Sequence, residues 1–156
     1  MFIMNYDEGE GWHNPRIVPY GPFELDPAAM VLHYAQEIFE GMKAYRTADG
    51  SIQLFRPDKN MARMNVSCER LCIPKIDEEF AIKAIKTLVE VDKDWVPSLD
   101  GTSLYIRPYI FATDAHVGVP LQSTLHLQLF FRRSEHIIRK VSHLLKFSLN
   151  RSMFVP

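Results

Sequence analysis

TSLYIRPYIF, residues 102–111, is the stretch from which an α/β fold can be read. It is rich in aromatic and branched residues, which favour strands, and a strand turns successive side chains to opposite faces. Tyr105, Arg107 and Tyr109 then share one surface, and Leu104 and Ile106 the other. A guanidinium flanked by two phenols suits a carboxylate or phosphate ligand, because arginine offers a planar fork of donors and tyrosine a hydroxyl on an apolar body. The same three residues read equally as the solvated outside of a sheet.

Working outward, residues 125–130 (LHLQLF) alternate cleanly and predict a second strand. Residues 43–46 and 51–55 predict a hairpin about Asp49 and Gly50. Before them, residues 28–45 (AAMVLHYAQEIFEGMKAY) read as a short helix or turn, interrupted at Gly41, that leads into the strand. Two helices fill the interval to residue 102. Pro57 opens the first, whose stripe of Met61, Met64, Cys68, Leu71 and Cys72 ends before Pro74. Asp77 caps the second, with Glu78 and Glu79 in its first turn and Ile82, Ile85, Leu88 and Val89 along one face. Strands with two well-marked helices predict an α/β domain, a mixed sheet with flanking helices.

With 156 residues, 47% of them hydrophobic and 24% charged, the chain is too apolar to be disordered and has room for one ordinary domain. No apolar run approaches the roughly 18 residues of a membrane span, and the opening MFIMNYDEGEGW has no basic segment followed by a long apolar one. The expectation is a soluble cytoplasmic protein. Cys68 and Cys72 stand four apart without a second pair, which gives neither a disulfide framework nor a zinc site, and they read as two buried thiols on one helix face. The six histidines lack metal-ligand spacing, so each reads as a lone side chain and no metal is expected. Phosphate-loop, dinucleotide, zinc-protease and serine-hydrolase motifs are absent. Arg63, off the apolar stripe of its helix, reads by itself as a surface charge.

Four segments then stand in order across residues 5–119: GWHNPRIVPYGPFELDPAAMVLHYAQEIFEGMKAY, LFRPDKNMARMNVSCERLCIP, VDKDWVP, and GTSLYIRPYIFAT with GVP after it. Together they closely resemble the branched-chain amino acid aminotransferases, pyridoxal-phosphate enzymes of fold type IV. The resemblance implies that residues 1–130 are the small N-terminal domain of that fold. It implies that Arg63, in NMAR, binds the phosphate of pyridoxal 5′-phosphate. It implies that Tyr34 and Phe39 line the substrate pocket, with the Tyr34 hydroxyl near the substrate carboxylate. Tyr105 and Arg107 match a pocket-wall phenol and its companion arginine, and Val119 a loop residue that reaches the active site of the neighbouring subunit. The family reaction moves an amino group between leucine, isoleucine or valine and 2-oxoglutarate. The partners implied are an amino acid and a 2-oxo acid, in a homodimer, with no nucleic acid and no membrane. None of these residues is implied as catalytic. The family lysine that joins the cofactor lies in a larger second domain, and no lysine here occupies its motif, so the chain alone is expected to be inactive.

Residues 131–156 depart from the family pattern. They hold Arg132, Arg133, Arg139, Lys140, Lys146 and Arg151 against Glu135 alone, a balance of +5 that leaves −6 for residues 1–130. Taking the third base of each codon with the first two of the next, from Phe131 onward, permitted codons spell S-P-V-G-A-Y-Y and then a run ending K-Y-V-R, which is the continuation the family pattern requires. The expectation is a frame-shifted, non-homologous tail on a truncated aminotransferase. The alternative is a non-catalytic binding protein that uses a basic amphipathic helix, since Ile137, Ile138, Val141, Leu144 and Leu145 fall at helical spacing among the cations.

Overall fold

The computed structural model describes the backbone of residues 1–118 and 124–135, with side chains for the first of these segments and for Leu127. In chain order the elements are β1 (Phe2–Asp7), β2 (Gly11–Ile17), α1 (Met30–Tyr34), β3 (Glu37–Phe39), β4 (Met42–Arg46), β5 (Ile52–Leu54), α2 (Pro57–Arg70), α3 (Glu78–Val91), a short 3-10 turn (Lys93–Trp95), β6 (Thr102–Ala112) and β7 (Thr124–Glu135). The strands form one sheet in the order β2-β1-β7-β6-β4-β5, with β3 also paired to β6. The predicted α/β domain with flanking helices is what is seen. Where a mixed sheet is expected, every strand pair among the described residues is antiparallel.

Strand β6 is the axis. It pairs with β7 from Thr102↔Glu135 to Ala112↔Leu125, and its other edge takes β3 and β4. Phe39↔Tyr109 and Met42↔Ile106 keep one register, so β3 and β4 are a single line interrupted at Glu40 and Gly41. The interruption lies opposite Pro108, which accepts from the Glu40 N–H at 2.8 Å and has no N–H to return. Cross-strand partners share a face. The inner face therefore carries Ile38, Met42, Ala44, Leu104, Ile106 and Ile110, all in the core, and the outer face carries Phe39, Lys43, Tyr105, Arg107 and Tyr109.

Helices α2 and α3 close the inner face with Met61, Met64 and Cys68 and with Ala81, Ala84, Ile85, Leu88 and Val89. Burying each large side chain contributes roughly 1.5–3 kcal/mol. Asp77 caps α3, accepting from the Phe80 N–H at 2.8 Å, and the Asp49–Gly50 turn joins β4 to β5 with the Gly50 N–H donating to Thr47 O at 2.9 Å.

Three expectations change. Strands β1 and β2 were not legible, although Phe2 and Met4 alternate into the core. The apolar stripe of α2 ends at Cys68, because the helix stops at Arg70 and leaves Leu71 and Cys72 exposed. Cys72 turns to φ 56°, and the Ile73 N–H returns to Cys68 O at 2.8 Å while the Cys72 N–H reaches Glu69 O at 3.4 Å. That is the hydrogen-bond pattern of a left-handed helix stop, with cysteine where glycine is usual. The strand predicted over 125–130 runs on to Glu135, across the 130/131 boundary, because ladder bonds are made by the main chain and do not depend on side-chain identity.

Candidate functional site

The site grows from the inner-face position of Glu40. In phase with Ile38 and Met42, it turns its carboxylate under α2, where only 5% of the side chain is exposed. A buried carboxylate needs donors, and α2 supplies them from one face. Arg63 donates through Nε to Oε1 at 2.7 Å and through Nη2 to Oε2 at 2.8 Å. Asn60, three residues earlier, donates to Oε2 at 2.9 Å, and the Gly41 N–H adds a weaker bond at 3.3 Å. Burial alone would raise the Glu40 pKa. The bonds from Arg63 and Asn60, the Arg63 charge and the Gly41 amide outweigh it and hold the carboxyl below its usual value. Arg63 itself is two-thirds exposed.

Strand β5 pairs only with Ala44–Arg46, so the edge of β4 beside Gly41 and Lys43 stays open. There, a cleft of about 410 Å³ is lined by Gly41, Lys43, Phe55, Arg56, Lys59, Asn60, Arg63 and Tyr105. Its four cations meet few counter-charges. Glu40 answers Arg63 and Asp58 lies 3.3 Å from Lys59, while Lys43 and Arg56 have no carboxylate partner among the described residues. Arg56 takes a left-handed conformation (φ 46°) just before Pro57, a strained placement of the kind found at functional positions.

The outer face supplies a second group. Arg107 donates to the Tyr105 hydroxyl at 2.6 Å and stacks its guanidinium 4.2 Å from the Phe39 ring centroid and 5.2 Å from that of Tyr105. Its Nε is buried without a partner. A stacked guanidinium with an unanswered N–H is arranged for an anion. Tyr109 shares that face, with its hydroxyl pKa pushed up to about 12 by burial and by Tyr20 and Glu37.

Of the six residues expected at a site, Phe39, Tyr105 and Arg107 form one stack, and Tyr105 links it to the cleft that holds Arg63. Tyr34, at the end of α1, contacts the His33 ring, and no polar bond joins it to the stack among the described residues. Val119 lies outside the described residues. Arg63, read alone as a surface charge, is ion-paired to a buried acid. Sequence reasoning missed Glu40, Asn60, Lys43, Arg56 and Lys59. An acid in phase with Ile38, Met42 and Ala44 was the signal for Glu40.

Two other features lie apart. A hollow of about 600 Å³ between the end of β2 and the end of α3 is lined by Ile17, Val18, Tyr20, Leu88, Val91 and Trp95, with Asp92 the one charged side chain. At the β1–β2 turn, His13 is not the lone histidine expected, since Asp7 lies 2.6 Å from Nε2 and Glu10 3.6 Å from Nδ1.

No protein-family profile matches the chain. It is 58% identical over 119 residues to branched-chain-amino-acid transaminase 1 of Bacillus subtilis (strain 168), covering 76% of this chain and 33% of that one. It is 55% identical over 127 residues to branched-chain-amino-acid aminotransferase 2 of the same organism (81% and 35%). A branched-chain-amino-acid aminotransferase of Mycobacterium tuberculosis (strain CDC 1551 / Oshkosh) is 56% identical over 120 residues (76% and 33%). The chain thus spans about a third of the length of these curated relatives. Among solved structures, a T.th. branched-chain amino acid aminotransferase complexed with N-(5′-phosphopyridoxyl)-L-glutamate matches with TM-score 0.59 and 24% identity, over 83% of this chain and 40% of that one. The branched-chain aminotransferase of Thermoproteus uzoniensis with norvaline matches with TM-score 0.60 and 19% identity, over 83% and 41%. These two likenesses concern the fold.

Proposed function

Because the chain is a partial N-terminal region of the branched-chain aminotransferase family, we propose that it builds the small-domain wall of a pyridoxal 5′-phosphate transaminase site. Arg63, with Lys43 and Arg56 beside it, seats the cofactor phosphate. Arg107 and Tyr105, with the Tyr34 hydroxyl nearby, hold a substrate carboxylate, and Phe39 gives apolar surface for a branched side chain. The family resemblance adds to this proposal a homodimer in which Val119 is assigned to the substrate site of the neighbouring subunit. The bound cofactor supplies the electron sink for amino transfer between leucine, isoleucine or valine and 2-oxoglutarate.

The observation that carries this reading is the convergence on one cleft of Arg63, two cations without carboxylate partners, and the Tyr105 hydroxyl that Arg107 engages. These donors fit a phosphate dianion beside a carboxylate. The roles proposed for these residues are in binding, and the covalent role of the family lysine is assigned to none of them. Free thiols at Cys68 and Cys72 support a reducing, cytoplasmic setting, and no helix among the described residues is long and apolar enough to cross a membrane. Residues 131–156 are a frame-shifted tail, a reading supported by the family sequence that codons permitted for them can spell in a shifted frame and consistent with identity to the relatives over 119 and 127 of the 156 residues.

Titration with pyridoxamine 5′-phosphate and with pyridoxamine, which lack the reactive aldehyde, tests the seat. The phosphorylated ligand should bind more tightly, and Arg63→Ala should sharply reduce the difference, leaving what Lys43 and Arg56 supply. Equal affinity of the unmodified chain for the two ligands, or transamination of leucine by the chain alone, would count against the proposal.

A further inference from the structure

Glu40 is buried, charged and unused by the binding roles above. Its carboxylate meets four donors, Arg63 Nε, Arg63 Nη2, Asn60 Nδ2 and Gly41 N, at 2.7 to 3.3 Å. A guanidinium has five N–H bonds in one plane. Two point at Glu40, and Nη1 has no partner among the described residues although Arg63 lines the cleft. An arginine this exposed would otherwise sample many rotamers and lose them on binding.

We propose that Glu40 is a positioning residue, which locks the Arg63 guanidinium by its Nε/Nη2 edge so that Nη1 is held ready for the phosphate of the ligand. The inference rests on the phosphate seat proposed for Arg63. Asn60 completes the lock by holding Glu40 Oε2 and also donating to Gly41 O at 3.2 Å, which ties α2 to the break between β3 and β4.

Two effects of removing the Glu40 charge oppose each other. Loss of the anion leaves Arg63 with more net positive charge, which favours phosphate. It also frees the side chain, which disfavours it. Arg63 stands largely in water, so the first effect is screened by salt, whereas orientation is not. Orientation wins. Glutamine is no substitute, because its amide NH₂ must face a donor in a ring made only of donors.

The test is the affinity ratio of pyridoxamine 5′-phosphate to pyridoxamine in the full chain, at about 0.15 M and about 0.5 M salt. Glu40→Gln should lower the ratio about tenfold at both salts, the factor that matches ordering one rotamer-rich side chain. Weaker binding of both ligands with the ratio intact would mean a structural role only, and an unchanged or raised ratio would likewise overturn the inference. If Arg63→Ala leaves the ratio intact, the seat itself fails and the inference with it. If only Glu40→Gln leaves it intact, the seat stands and the inference falls. A measurement on the unmutated, ligand-free chain guards against misfolding of the variant. The Arg63 Nε–H resonance should exchange with water more slowly than that of exposed Arg70, and equal rates would overturn the lock.

Discussion

The Tyr105 hydroxyl occupies the space that a side chain on Gly41 would need: a Cβ at Gly41 would stand 2.6 Å from that oxygen. Gly41 does not have a positive φ, so the glycine is required by room and not by backbone conformation.

Gly41→Ala should therefore push the Tyr105 ring aside without unfolding the sheet. The 2.6 Å bond from Arg107 breaks with it. Overpacking of this kind costs about 1–3 kcal/mol, or roughly 2–12 °C in a chain of this size. Affinity for pyridoxamine 5′-phosphate should fall in step, because Tyr105 lines the cleft. A thermal melt and a ligand titration on the same sample check both, and an unchanged melt and affinity would refute the packing argument.

Glu40 makes stability depend on acid. Its folded pKa lies below the usual 4.5, so its contribution is present above that value and disappears as pH falls through the lower, folded one. Denaturant melts should show Glu40→Gln less stable than the parent at pH 7. The gap should narrow steadily below about pH 4.5, the ordinary range of the group. A gap that stays constant into strong acid would exclude the ionised carboxylate as its cause.

The two thiols should separate in a labelling experiment. Cys68 is fully buried, and burial pushes its pKa up to about 11, while Cys72 is exposed at the helix stop. A chromogenic disulfide reagent at pH 8 should consume one thiol quickly, mapped to Cys72, and the second only on unfolding. Rapid labelling of both in the native chain would contradict the packing of α2.

Cys72→Gly should stabilise the chain. A left-handed conformation costs a non-glycine residue about 1–2 kcal/mol, and glycine gives back about 0.5–1 kcal/mol in unfolded-state entropy. The net gain of about 0.5–1 kcal/mol should raise the midpoint of a thermal melt by roughly 1–4 °C.

Alternation made the outer face legible. Tyr105, Arg107 and Tyr109 fall together as period two requires, and the helix faces of Met61, Met64, Ile85, Leu88 and Val89 followed from their spacing. Glu40 stayed hidden because its neighbours were read as the entrance to a strand and not as strand positions with a face. Strands β1 and β2 stayed hidden because the hairpin is rich in acids and glycines at its turn, and β1 joins the sheet by pairing with residues more than a hundred positions away. Cys72 misled because a stripe read by spacing gives no sign of where the backbone leaves the helix.

Strand β1 takes its place in the sheet through β7, with Phe2 opposite Leu129 and Asp7 opposite Thr124. A ribosome adding about 5–20 residues per second delivers Thr124–Leu129 on the order of ten seconds after the hairpin has emerged. An isolated hairpin is at best marginally stable in water, so the first strands made are the last to be fixed, and meanwhile they wait with an open edge. A nascent chain halted before residue 124 would forfeit three strands of the sheet rather than one, whereas one halted after residue 130 would already hold every partner that β1 needs.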